Sequence, residues 1–167
     1  PLIISGQQEA SSHKYQTINE VIPRLRKDEH YAVDEKGHSV HLTDQGAVAM
    51  SPNDPGLFLV PDISELVHSI DRDPGLTADE RVQRRREVEA EYALKSEKLH
   101  IIHKLLQAHA LYEKEVDYLV QDGQVVIVDE FTGRVMPGRR WADGLHQAVE
   151  AKEIGRASCR ERVLWRV

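Results

Sequence analysis

Apolar positions along the chain recur with two different periods, and each change of period marks a new element. "LIIS" (Leu2–Ser5) is a short β-branched run closed by Gly6 and reads as a strand. After a polar loop, Ile18, Val21, Ile22 and Leu25 fall at near-helical spacing, and Pro23 within that pattern predicts a kink or a restart. "YAVDEKGHSVHL" (Tyr31–Leu42) alternates on both sides of Glu35-Lys36-Gly37 and predicts a β-hairpin whose glycine supplies positive φ. Thr43 then stands where the cap of a helix through "DQGAVAM" belongs, and "SPNDPG" stops that helix.

The second half of the pattern is more strongly marked. "PDISELVHSIDRDPG" places Ile63, Leu66, Val67 and Ile70 on one side of a short helix. "TADE" (Thr77–Glu80) has the capping-box form and should open the longest element, a helix from about Ala78 to about Lys114. Its first half, "ERVQRRREVEAEYALKSEK", is a solvated charged surface, and its second, "LHIIHKLLQAHALY", is apolar enough for core. "VDYLVQDGQVVIVDE" sets two β-rich runs around Asp122-Gly123, the dipeptide that a type I′ hairpin demands. Beyond the turn "FTGRVMPG", Trp141, Leu145 and Val149 share one face of a predicted helix whose final polar turn is Glu150–Glu153. The order of elements gives an α+β fold with small antiparallel hairpins, packed helices and no internal repeats.

Charge divides the chain unevenly. The total is −6, and four Arg against two Glu make residues 153–167 +2, leaving residues 1–152 at −8. An acidic body offers no general attraction for nucleic acid, so no nucleic-acid partner is expected. The single cysteine, Cys159, excludes a disulfide scaffold and favours a reducing compartment. No apolar run approaches the roughly 18–20 residues that span a bilayer, and the N-terminus carries no signal-peptide pattern. Opening on Pro1 and running directly into "LIISG", the chain reads as cut at its front.

Candidate chemistry is sparse. "VVIVDE" (Val125–Glu130) has the form of an ATPase strand that delivers an Asp to magnesium and a Glu to water. The phosphate-cradling G-x-x-x-x-G-K-[ST] loop is missing, so Asp129 and Glu130 read as hairpin-end carboxylates in reach of Arg134, Arg139 or Arg140. His100, His103 and His109 lie on one long helix, but no Cys or E-x-x-H pattern completes a metal site, and scattered part-buried histidines are the better account. "RRREVEAE" reads as a helix face laced with ion pairs. No G-x-S-x-G elbow frames a serine nucleophile. What the hairpins do provide is strand edges, which can pair with an extended peptide through main-chain bonds.

"VDYLVQDGQVVIVDEFTGRVMPGRRWADGLHQAVEAKE" (Val116–Glu153) closely resembles the preprotein cross-linking domain of the SecA family, the ATPase motors of bacterial protein export. "PLIISG" resembles the strand that enters that domain, and the likeness runs in order from Pro1 to Glu153, weakening between about Met50 and Leu94. The resemblance implies a first stem strand over residues 1–6 and the domain proper over 7–153, truncated before the return strand. It implies a module that binds and clamps unfolded preproteins and signal peptides, with contact at Tyr118, Val120 and the stem residues Leu2, Ile3 and Ile4. Nucleotide motifs fall outside this stretch, so ATP and magnesium would be cofactors of the longer parent, and the fragment alone would be inactive with no cofactor. The Sec channel and the cytoplasmic face of the inner membrane would be met through that parent. A free-standing peptide-binding adaptor is the alternative.

After Glu153 the family pattern stops. "EIGRASCRERV" back-translates to what looks like a short-read sequencing adapter in frame, so residues 154–167 are expected to be non-native, broken at Gly155 and detached from the body.

Overall fold

A computed structural model describes residues 13–51 and 62–164, the side chains as far as Gly155. The predicted strand Leu2–Ser5 lies outside the described residues, as does the "PNDPG" portion of the predicted stop. The elements run α1 (residues 13–19), β1 (Tyr31–Asp34), β2 (Ser39–Leu42), α2 (Asp44–Met50), α3 (Ile63–Arg72), α4 (Ala78–Leu111), β3 (Tyr118–Gln121), β4 (Gln124–Val128), β5 (Val135–Met136) and α5 (Leu145–Leu164). This is the α+β architecture that the pattern predicts. Pro23 restarts the chain after α1 as a short 3₁₀ turn, Ile22–Arg24. Two compact units emerge, Ala47–His100 and the remainder.

In the unit Ala47–His100 the connection between α3 and α4 is built from caps. Asp62 accepts a bond from Ser64 N at 2.8 Å at the start of α3. The capping box at α4 is complete: Thr77 N donates to Glu80 Oε2 at 2.8 Å, and Glu80 N donates to Thr77 Oγ1 at 3.4 Å. The Thr77 amide bond, with a second donated by the Thr77 hydroxyl to the same Oε2 at 2.7 Å, holds the Glu80 carboxyl below its ordinary range. Arg81 donates to the Asp73 carbonyl, and Arg85 pairs with Asp71 at 3.6 Å, tying the charged half of α4 to α3. The expected pairs along α4 include Glu91–Lys95 at 2.8 Å.

The other unit contains the core. Ile101, Ile102, Leu105, Leu106 and Ala108 of α4 are buried, as are Leu145, Ala148, Val149 and Ala151 of α5, with Val125 and Ile127 from β4. β1 and β2 pair antiparallel with Tyr31 opposite Leu42, and β3 and β4 pair with Tyr118 opposite Ile127. Asp122 (φ 52°) and Gly123 (φ 75°) are both left-handed, as a type I′ turn requires. A third strand, β5, joins β4 with Met136 opposite Ile127, where the sequence predicts only a turn. With two residues, it is too short to carry a period.

Four expectations require correction. In the first hairpin the left-handed residue is His38 (φ 47°), not Gly37. A Cβ on Gly37 would lie 2.5 Å from Asp34 Oδ2, the end of an exposed side chain, while Asp34 Oδ1 accepts bonds from the Lys36 and Gly37 amides. Trp141 precedes α5, because left-handed Asp143 and Gly144 reverse the chain before the helix starts at Leu145. Glu150–Glu153 is not a polar end: Ala151 and Lys152 are buried. Nor does Gly155 break the helix, which continues to Leu164. A Cβ on Gly155 would come within 2.6 Å of Asn19 Nδ2, so the start of the expected tail meets the body.

Thr43 caps α2 as expected, accepting from Gly46 N at 3.2 Å while donating to the Glu29 carbonyl at 2.8 Å. Gly46 passes so near the first hairpin that a Cβ would sit 2.0 Å from the His30 carbonyl oxygen. Helix propensity alone would make Gly46→Ala stabilising by about 1 kcal/mol. The backbone clash should reverse the sign, costing about 1–3 kcal/mol in urea denaturation. A more stable variant would contradict this packing.

Candidate functional site

Tyr118 opens β3 and is completely buried. Its hydroxyl donates to Glu153 Oε1 at 2.7 Å, and the Lys152 ammonium lies 5.5 Å from its ring centroid. The Trp141 ring meets it edge-on at 6.2 Å and meets Tyr112 at 5.1 Å. Burial, together with the nearby Asp117 carboxylate, raises the Tyr112 phenol above its usual pKa. The resemblance implies a substrate contact at Tyr118, with a packed aromatic in the sheet as the alternative; the side chain faces the core, and what it leaves accessible is the strand it anchors.

Strand pairing decides which backbone groups that strand exposes. Val128 N donates to the Asp117 carbonyl at 2.9 Å, so residues 117, 119 and 121 bond inward to β4. Tyr118 and Val120 therefore point their N–H and C=O groups away from β4. At Tyr118 this outer edge is plugged: Glu115, left-handed at φ 72°, donates its N–H to the Tyr118 carbonyl at 2.7 Å, and Lys114 bridges Tyr118 in parallel. Among the described residues no loop or side-chain bond reaches the outward groups of Val120, whose side chain is also exposed. Leu2, Ile3 and Ile4 lie outside the described residues.

Lys152 supports this arrangement from behind. It is 1% exposed, and its Nζ donates to the Ala108 carbonyl at 2.8 Å and to the Tyr112 carbonyl. Both acceptors belong to the end of α4, where carbonyls have no helical partner and a cation is favoured. Its signal in the sequence is positional: Leu145, Ala148, Val149 and Lys152 follow i, i+3, i+4, i+7, so the lysine occupies an apolar-stripe position.

Asp129 is a turn-builder. Its carboxylate accepts from the Thr132 hydroxyl and the Phe131 amide, and its backbone closes the turn through Arg134 and Gly133. The Thr132 bond is the largest cause holding its pKa below the usual range, with Arg139 contributing at a distance. Of the three arginines expected near these carboxylates, Arg140 goes elsewhere, to Glu150 at 3.4 Å. That same Glu150 oxygen lies 3.4 Å from Nε2 of His146, a buried histidine that the sequence did not single out. Among the described residues no cluster of His, Cys, Asp and Glu is arranged to hold a metal ion, and no helix is long and apolar enough to cross a membrane. His109 bonds to Asn19 at 2.8 Å.

Comparison with known proteins identifies the architecture. Residues 10–150 match the SecA preprotein cross-linking domain model, and the chain belongs to that family. It is 51% identical over 92% of its length to the protein translocase subunit SecA of Sorangium cellulosum. Identity is 43% over 91% of the chain to the SecA of Chlorobium phaeobacteroides, and 46% over 81% to that of Phocaeicola vulgatus. The chain spans only 13%, 15% and 12% of those relatives.

Two substitutions test the support of the strand. Lys152→Met keeps the aliphatic bulk but strips the donor from the Ala108 and Tyr112 carbonyls, and should cost about 1–3 kcal/mol. An unchanged melting temperature would remove Lys152 from this role. His146 is held neutral: burial, then the Arg140 charge, lowers its pKa below 6.5, outweighing Glu150. The unfolded chain then binds more protons below about pH 6.5, so stability should fall as pH drops through that value toward the folded pKa. Melting curves between pH 7.5 and 5 should show a smaller loss for His146→Gln than for the natural residue.

Proposed function

We propose that this chain is the preprotein-contacting module of a protein translocase motor, holding unfolded segments and signal peptides by main-chain pairing at its strand edges. The observation that carries this reading is that, among the described residues, the N–H and C=O of Val120 stand open beside the plugged Tyr118. An extended segment laid there gains backbone bonds that ask nothing of its side chains, the tolerance that a carrier of many sequences needs. Tyr118 acts as the anchor that fixes the edge, with Leu2, Ile3 and Ile4 as a second candidate edge. ATP and magnesium, the export channel and the cytoplasmic membrane surface belong in this reading to the longer polypeptide.

Val120→Pro provides a selective test, because an edge proline loses only an outward N–H. Capture of an unfolded preprotein by a photo-crosslinker at Gln121 should fall about ten-fold in the proline variant while the melting temperature changes little. Capture that is equal in both, or confined to a crosslinker at Arg85 on α4, would overturn the reading.

A further inference from the structure

The β3 edge has a counterpart. Lys114-Glu115-Val116-Asp117-Tyr118-Leu119-Val120 and Lys27-Asp28-Glu29-His30-Tyr31-Ala32-Val33 share the pattern Lys, acid, two residues, Tyr, one residue, Val. No internal repeat is expected from the sequence, yet the two segments fold alike. Asp28 is left-handed at φ 67°, as Glu115 is at φ 72°. Asp28 N donates to the Tyr31 carbonyl at 2.8 Å, and Lys27 bridges Tyr31 in parallel, as Lys114 bridges Tyr118. Even the support is repeated: His30 Nδ1 accepts from Arg26 N at 2.9 Å, and Asp117 Oδ2 accepts from Glu113 N at 2.7 Å.

The consequence follows from register. Thr43 N donates to the His30 carbonyl at 3.0 Å, so residues 30, 32 and 34 bond toward β2 while Tyr31 and Val33 face outward. Tyr31 is plugged, and among the described residues no loop or side-chain bond reaches the outward groups of Val33. An exposed ion pair, Lys27 to Glu35 at 3.7 Å, joins residues on either side of Val33. Such exposed pairs contribute little to stability and yield readily to an incoming chain.

We propose that the β1 edge at Val33 is a second pairing site for an extended polypeptide, equivalent in chemistry to the edge at Val120. The proposal rests on the reading of Val120 as a main-chain pairing edge. Two edges in one module would hold one unfolded chain at two places, raising its apparent affinity without new side-chain recognition.

The test uses the 167-residue chain with a photo-crosslinking residue at exposed Ala32, at Gln121 or at the control position Arg85. The probes are a short alternating Thr-Val peptide and its fully N-methylated counterpart, which has no N–H to donate. Capture of the first peptide at position 32 should exceed that at position 85 by about ten-fold and should disappear on N-methylation. Capture at 121 alone would overturn the second site and leave the proposed function standing. Capture at neither would overturn both. Capture at 32 that survives N-methylation would show side-chain adhesion and reject pairing there.

Discussion

A single ammonium group organises the larger unit. Lys152 is carried into the interior by α5 and meets there the last carbonyls of α4 and the face of the Tyr118 ring. Each of these partners would be costly to bury alone: the helix end has unpaired acceptors, and the cation has lost its water. Together they satisfy one another, and the relation fixes α5, the end of α4 and the start of β3 relative to each other. Glu153, next in the chain, adds the acceptor for the Tyr118 hydroxyl. Two consecutive charged residues thus join a helix to a strand through opposite chemistries.

Asn19 has a comparable role between α1 and the two long helices. It is 5% exposed, donates to the Ala151 carbonyl at 3.1 Å and meets His109 through its other amide atom. A buried amide with both ends engaged specifies one arrangement of α1, α4 and α5, where apolar contact alone would tolerate several. Gly155 lets α5 approach that amide closely. Lys104 adds an ion pair to Asp143 at 3.1 Å, holding the turn before α5 against α4.

The sequence was most legible where a local rule suffices. The capping box at Thr77, the Asp122-Gly123 turn, the Thr43 cap and the apolar half of α4 each depend on residues within a few positions of one another. The family resemblance at Val116–Glu153 was likewise visible in the residues themselves. The misreadings came where distance or conformation decides. Lys152 scans as surface because its partners lie some forty residues away on α4. Trp141 fell on a helical face by spacing, although two left-handed residues separate it from the helix. The inward orientation of Tyr118 depends on α5 and Trp141, which no local pattern encodes.

The plugs at Tyr31 and Tyr118 have a meaning for solubility. A strand edge that can accept a passing chain can also accept a second copy of itself, and unlimited edge-to-edge growth is how sheets aggregate. By occupying the first outward residue of each strand, Asp28 and Glu115 leave, among the described residues, one residue open before the turn. Such a gap admits a pair of backbone bonds, too few to seed a growing sheet. Contacts that small also dissociate quickly, since weak association shows itself mainly in the off-rate. Under the proposed pairing, the same left-handed acidic residue that blunts aggregation would also favour prompt release.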